Sequence, residues 1–259
     1  MTAADAALLA HLPQFAFAFV LVLGRVGAAC MLIPGVGEAE LPMIVRAGFA
    51  LALTALLLPV LAHDLPPPPA DVWRGLAMLI AELAAGLLLG WLARLLLLAL
   101  PLAGQMIALL TGQASVLQPD EMLGAQGAAM GRLLGLAGPV LLLSSGLYAL
   151  PLQALAGSYR VLPAGALLPA GDTAASAIAA VAACFALALR LAAPFPLAGI
   201  VWQVALAALV RLAPQVPVFF LAAPAQLLGG LALLAALAGA VLGVWGQSVA
   251  SGLAALPGL

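Results

Sequence analysis

From Trp73 to Leu110 the chain is one nearly unbroken apolar run, with Glu82 and Arg94 the charged residues in its interior. At 1.5 Å rise per residue a helix of this run is nearly twice as long as a bilayer's apolar thickness of roughly 30 Å requires. It must tilt, break or protrude, and Pro101 is the expected kink or break, because proline lacks an N–H and crowds the preceding turn. Thr173 to about Val210 is a second overlong run, with Pro194 and Pro196 marking a break. Such runs leave little room for a water-facing surface. The chain of 259 residues is 66% hydrophobic and 7% charged, against about 25% charged in soluble domains. The bilayer or a large membrane complex must therefore act as the solvent. Strand alternation is absent, which excludes a membrane β-barrel. The expected fold is an all-α integral membrane protein, one membrane-embedded domain over 1–259.

Four further apolar blocks fill the chain. Phe15 to Ile33 carries Arg25 and ends at Pro34-Gly35-Val36-Gly37; Pro42 to Ala62 carries Arg46 near its start. Leu133 to Ala156 reads as a single segment with Pro139 and Pro151 near its ends, and Val218 to Trp245 contains Pro224. The count is six segments, two of them overlong, and the tail from Gly246 is expected to fray. The linker DLPPPPAD should be extended polyproline outside the bilayer. Successive linkers carry about one Arg each, so the positive-inside rule gives no orientation. No basic region precedes the first apolar block, so that block is expected to be retained rather than cleaved as a signal. Glycines four apart, at Gly86-Gly90, Gly127-Gly131-Gly135 and Gly239-Gly243, are candidate close helix contacts.

Chemistry-bearing motifs are missing. All eight basic residues are Arg and net charge is −1, so nucleic acid has no electrostatic footprint to meet. Cys30 and Cys184 sit alone in apolar runs and read as small buried hydrophobes. The histidines, His11 and His63, lie at segment ends in no metal motif; no His follows Ser144-Ser145, and without Lys there is no Walker A loop. No enzyme activity, metal or cofactor is expected. The ionisable residues in apolar blocks, Arg25, Arg46, Glu82, Arg94 and Arg190, are costly in hydrocarbon and should face protein or water. They form either a proton relay or a structural set that snorkels or pairs with another subunit.

The polar interruption from Gly104 to Arg132 stands apart. It holds Gln105, Gln113, Gln118, Gln126, Met106, Met122 and Met130, and the acidic pair Asp120-Glu121. It is either an exposed loop or the lining of a cavity. Met adapts to irregular gaps, Gly gives a loop freedom to move, and non-helical backbone at membrane depth needs a cavity. The expected division is helix end to Gly112, loop from Gln113 to Gln126, and a new helix from Gly127.

The run LVLGRVGAACMLIPGVGEAELPMIVRAGFALALTALLLP resembles the N-terminal signature of the FliR family of flagellar and type III secretion export-gate proteins. Arg25, Pro34, Gly37, Pro42, Val45 and Arg46 match in order. The central stretch resembles the family's Gln-rich turn and Asp/Pro loop, closing at Leu162-Pro163. RLAPQVPVFFLAAPAQLLGG resembles a late element through Pro214, Gln215, Phe219, Pro224 and Gly229. The chain departs from the pattern in the Gln118-Pro119-Asp120 order, at Pro217 and at Ala222. The resemblance implies a channel-forming export-gate subunit in the bacterial inner membrane at the flagellar basal body. It implies FliP-like and FliQ-like partners, FlhB-like and FlhA-like proteins beside them, and unfolded export substrates passing through. It also implies helix hairpins standing partly above the membrane plane, and a plug built from Met106, Gln113, Ser115, Gln118, Pro119, Asp120, Glu121, Met122 and Gln126. Arg25, Pro34, Gly37, Pro42, Arg46, Glu82, Pro214, Gln215 and Pro224 are the candidate assembly or structural residues. A virulence-system homologue and a stand-alone transporter are the alternatives.

Overall fold

The computed structural model describes residues 3–111, 117–119, 126–212 and 218–259, and within them the side chains of 12–111, 130–212, 222 and 224–259. Its helices are α1 (Ala3–Cys30), α2 (Met43–Leu61), α3 (Val72–Leu110), α4 (Ala129–Ser144), α5 (Ala149–Val161), α6 (Ala170–Ala192), α7 (Pro194–Leu212) and α8 (Val218–Ala254). Ala and Leu are strong helix formers, and in lipid a helix satisfies its own backbone. Six helices among the described residues are long and apolar enough to cross a membrane, and α4 with α5 would make a further, bent span. The architecture is that of an all-α integral membrane protein.

Three boundaries differ from expectation. The block from Leu133 to Ala156 is not one segment: α4 and α5 meet at a 71° bend. The break is at Gly146, with φ +77°, and not at a proline. A left-handed glycine ends a helix cleanly, and Pro139 sits within α4 without ending it. Second, Pro101 does not break α3, which runs through it as one 39-residue helix; a single missing ladder bond is tolerated where neighbours re-satisfy the freed carbonyl. Third, the tail is ordered. α8 continues past Trp245 to Ala254, with Val249 and Leu253 fully buried. Its serines return their hydroxyls to helix carbonyls, Ser248 to Val244 at 2.8 Å and Ser251 to Ser248 at 3.0 Å, so polarity there does not melt the helix. The break between α6 and α7 falls at Ala193, beside Pro194, as expected.

Strands β1 (Leu117–Pro119) and β2 (Gln126–Ala128) pair antiparallel, with Leu117 opposite Ala128, Gln118 opposite Gly127 and Pro119 opposite Gln126. Three-residue strands are too short to show alternation, so the ribbon was not legible in the pattern. It also moves the next helix start from Gly127 to Ala129.

The chain divides into two compact units: Met1–Arg94 with Leu142–Ala179 and Gly252–Leu259, and Leu95–Leu141 with Ala180–Ser251. In the first, Val22, Val26, Ala29, Cys30 and Ile33 of the first segment pack with Ala50, Leu58 and Leu61 of α2, Leu89 of α3, and Leu155 and Tyr159 of α5. In the second, Gly138 brings α4 against Trp245 and Leu100, where an added Cβ would lie 3.6 and 4.0 Å away. Here α7 buries only Phe195 and leaves Leu197, Ile200, Val201 and Val204 exposed.

Candidate functional site

The first unit closes around a buried ion pair. Arg25 on α1 and Glu82 on α3 are both fully buried. Arg25 Nε donates to Glu82 Oε2 at 2.8 Å, and Nη2 to Oε1 at 2.9 Å. This two-pronged geometry suits the planar guanidinium. Nη1 donates to Ser158 Oγ at 3.1 Å and to the Leu162 carbonyl at 3.0 Å. Glu82 Oε1 also accepts from Gly165 N–H at 2.7 Å. The guanidinium lies over the Tyr159 ring, 4.0 Å from its centroid, a cation–π contact between buried side chains. Thus α1, α3, α5 and the turn after α5 meet on two side chains. The carboxylate Arg25 needs lies in its own chain. Glu82 holds three donors and Arg25 gives four bonds, which satisfies the condition for charge in an apolar interior.

Glycines let this happen. A Cβ on Gly86 would overlap the Arg25 carbonyl oxygen, and one on Gly90 would sit 2.8 Å from the Ala29 carbonyl oxygen. Gly24 faces Leu79 and Glu82 in return. The Gly86-Gly90 pair therefore marks a real backbone contact. Gly239 and Gly243 have nothing within 4 Å among the described residues.

A second, shallower pair fixes the loop between α1 and α2. Arg94 donates to the Gly37 carbonyl at 3.1 Å and lies 3.4 Å from Glu38 Oε2, while Glu38 Oε1 accepts from Gly35 N–H. Pro34 and Gly37 are buried in this loop, where a Cβ on Gly37 would sit 2.6 Å from the Met31 carbonyl oxygen. Pro42 stands at the N-cap of α2, its carbonyl taking Val45 and Arg46 N–H. Arg46 is half-buried, its Nε shielded and without a hydrogen-bond partner among the described residues. Arg190 is exposed in the last turn of α6, where a cation suits the helix dipole. Glu38, Ser158, Tyr159 and Gly165 were not singled out by sequence; Glu38 and Ser158 carried no signal beyond being polar among apolar neighbours.

In the second unit the central stretch is pinched at its base. A Cβ on Gly104 would sit 2.8 Å from Gly131 Cα, and one on Gly131 would sit 2.5 Å from Gln105 Nε2. The excursion leaves α3 and rejoins α4 where the two backbones touch, and the β1–β2 ribbon folds it back on itself. Met106 is half-buried near the end of α3. Gln118 and Pro119 lie in β1 and Gln126 in β2. Gln113, Ser115, Asp120, Glu121, Met122, Pro214 and Gln215 lie outside the described residues. Pro224 is exposed inside α8.

The family model described as bacterial export proteins, family 1, matches residues 16–252. The flagellar biosynthetic protein FliR of Caulobacter vibrioides is 31% identical over 225 residues, covering 87% of this chain and 90% of the relative. The flagellar biosynthetic protein FliR of Bacillus subtilis is 26% identical over 213 residues, covering 81% and 82%. The match takes in both compact units, the Arg25–Glu82 pair and the pinched excursion alike, and the chain belongs to family 1 of the bacterial export proteins.

Proposed function

We propose that the chain is a channel-forming subunit of the flagellar protein export gate, seated in the bacterial inner membrane at the basal body. The observation that carries this reading is the family match from residue 16 to 252 together with two flagellar relatives aligned over more than four-fifths of the chain. Both relatives are flagellar, which favours that system over a virulence-type one. The partners are FliP-like and FliQ-like subunits, with FlhB-like and FlhA-like proteins beside them and unfolded export substrates as cargo. The exposed apolar faces of α7 and α8 support such partners, and on α8 Gly239 and Gly243 have nothing within 4 Å among the described residues.

Within this subunit, the loop from Gln113 to Gln126, with Met106 beside it, acts as the closing element. Its base is fixed by the Gly104–Gly131 contact, and β1 and β2 pair its two arms. The Arg25–Glu82 and Arg94–Glu38 pairs are the fixed frame. The test is purification from the native host in mild detergent with an affinity tag on this chain. FliP-like and FliQ-like subunits should copurify, and loss of the gene should abolish flagella. A chain that stays monomeric when those subunits are co-expressed refutes the reading.

A further inference from the structure

The ion pair has hydrogen-bonding capacity beyond its own two bonds, and besides Ser158 on α5 that capacity meets one turn. Arg25 Nη1 faces the Leu162 carbonyl at 3.0 Å, and Glu82 Oε1 faces Gly165 N–H at 2.7 Å. Between them Pro163 has no N–H to offer. Leu162 N–H is already given to the Ser158 carbonyl at 2.8 Å, and the Pro163 carbonyl accepts Ala166 N–H at 3.1 Å. Of the turn's backbone groups the Leu162 carbonyl and the Gly165 N–H face the pair, and the pair meets each with the opposite kind. The fit continues in shape. Gly165 has φ +77°, and a Cβ there would sit 2.5 Å from Met78 Cε, one helical turn before Glu82 on α3. Ser158 completes the seat by accepting from Arg25 while its hydroxyl donates to the Leu155 carbonyl at 2.7 Å.

We propose that Arg25 and Glu82 form a directional clamp that recognises the Leu162–Gly165 turn by the polarity of its backbone, and so positions the entry to α6. The proposal does not depend on the export reading. A bare ion pair has no direction, because exchanging its two residues preserves the attraction. A clamp has one. With Arg25→Glu and Glu82→Arg together, a carboxylate faces the Leu162 carbonyl and a guanidinium faces Gly165 N–H: acceptor meets acceptor and donor meets donor. Unmet backbone groups in an apolar interior drive the turn out to find other partners.

Ala164 reports the docking, since it is half-buried against the core of its unit. Ala164→Cys in the full chain, with Cys30→Ala and Cys184→Ala removing the native thiols, is labelled with a maleimide in membranes. The clamp predicts slow labelling with the native pair and at least tenfold faster labelling with Arg25→Glu, with Glu82→Arg, and with the exchanged pair. An exchanged pair that accumulates and labels within twofold of the native rate overturns the proposal. Should the exchanged pair not accumulate, Arg25→Met with Glu82→Met decides, since it needs no charge partner and keeps apolar bulk. Folded protein with fast labelling supports the clamp. Labelling at the native rate overturns it, as does failure of this variant to accumulate, because a clamp leaves the α1–α3 contact able to form without the turn.

Discussion

Gly86→Ala tests whether the α1–α3 contact and the ion pair are one device. In a helix exposed to lipid or detergent this change should stabilise by up to about 1 kcal/mol, from helix propensity alone. At position 86 the sign should reverse. An ordinary carbon–oxygen contact begins near about 3.3 Å, and a Cβ on Gly86 falls far inside that limit against the Arg25 carbonyl oxygen. To relieve the overlap, α1 must retreat by about an ångström, against a well-packed core that resists at roughly 1–3 kcal/mol. The residue pushed is Arg25 itself. Its bonds to Glu82, now 2.8 and 2.9 Å, would stretch past the range of a good hydrogen bond. Breaking a buried pair costs roughly 3–5 kcal/mol. The two penalties overlap, because a displaced side chain recovers part of its bonding, so the net loss is about 4 kcal/mol. That is roughly a thousandfold in the folded-to-unfolded ratio. The assay is reversible unfolding in mixed detergent micelles, comparing Gly86→Ala with Gly239→Ala and Gly243→Ala. The latter two positions have open space at the Cβ and should be neutral or slightly stabilised. If Gly86→Ala lies within about 0.5 kcal/mol of those controls, a limit within which ordinary surface changes fall, the helices are not locked at this point and the reasoning is wrong.

Three further outcomes are expected. Gly157→Ala should expel the last residues of the chain, because its Cβ would overlap the Gly258 carbonyl oxygen; a cysteine at Leu256, buried in the native fold, should change from protected to labelled. Arg94→Ala should release the loop at Gly35–Glu38 at a cost of about 1 kcal/mol or less, since its ion pair is partly exposed; faster proteolysis within 35–41, with an unfolding midpoint lowered only slightly, is the signature. Deletion of Ser115 to Gly124 should leave partner subunits copurifying while making the membrane leaky to small solutes, and an assembly defect without leak would instead make the stretch a packing element.

Much of the helical layout was legible because it is written in long-range composition. Apolar length located α2, α3 and α6–α7, and Pro194 located the break between the last two, since proline acts on its own backbone wherever it stands. Gly146 was missed for the converse reason. Glycine bends a helix only if the surroundings select its left-handed conformation, and nothing in Ser144-Ser145-Gly146 distinguishes that outcome from close packing. The same ambiguity ran through the GxxxG pairs: Gly86-Gly90 marks a contact, Gly239-Gly243 has none within the described chain, and Gly127 lies in a strand. The pair Arg25–Glu82 was visible as two costly charges but not as partners, because 57 residues separate them and no local rule links α1 to α3. Ser158 and Gly165 were less visible still, since their part is played by one hydroxyl and one backbone N–H.

The charges and the glycines explain each other. Glu82, Gly86 and Gly90 stand four residues apart and so share one face of α3. On α1 they meet Arg25, the Arg25 carbonyl and Ala29 in turn. A guanidinium and a carboxylate survive in an apolar interior only where their hydrogen bonds are complete and neither lipid nor a loose side chain can intrude. Backbone-to-backbone contact directly beneath the pair supplies that exclusion. Without the glycines the helices stand too far apart for the bonds. A chain with so few charged residues thus places two of them where they fix the alignment of α1 on α3 and the docking of the turn after α5, and leaves the exposed faces of α7 and α8 mostly to apolar side chains. The frame of this unit is built from the residues that composition alone would have marked as liabilities.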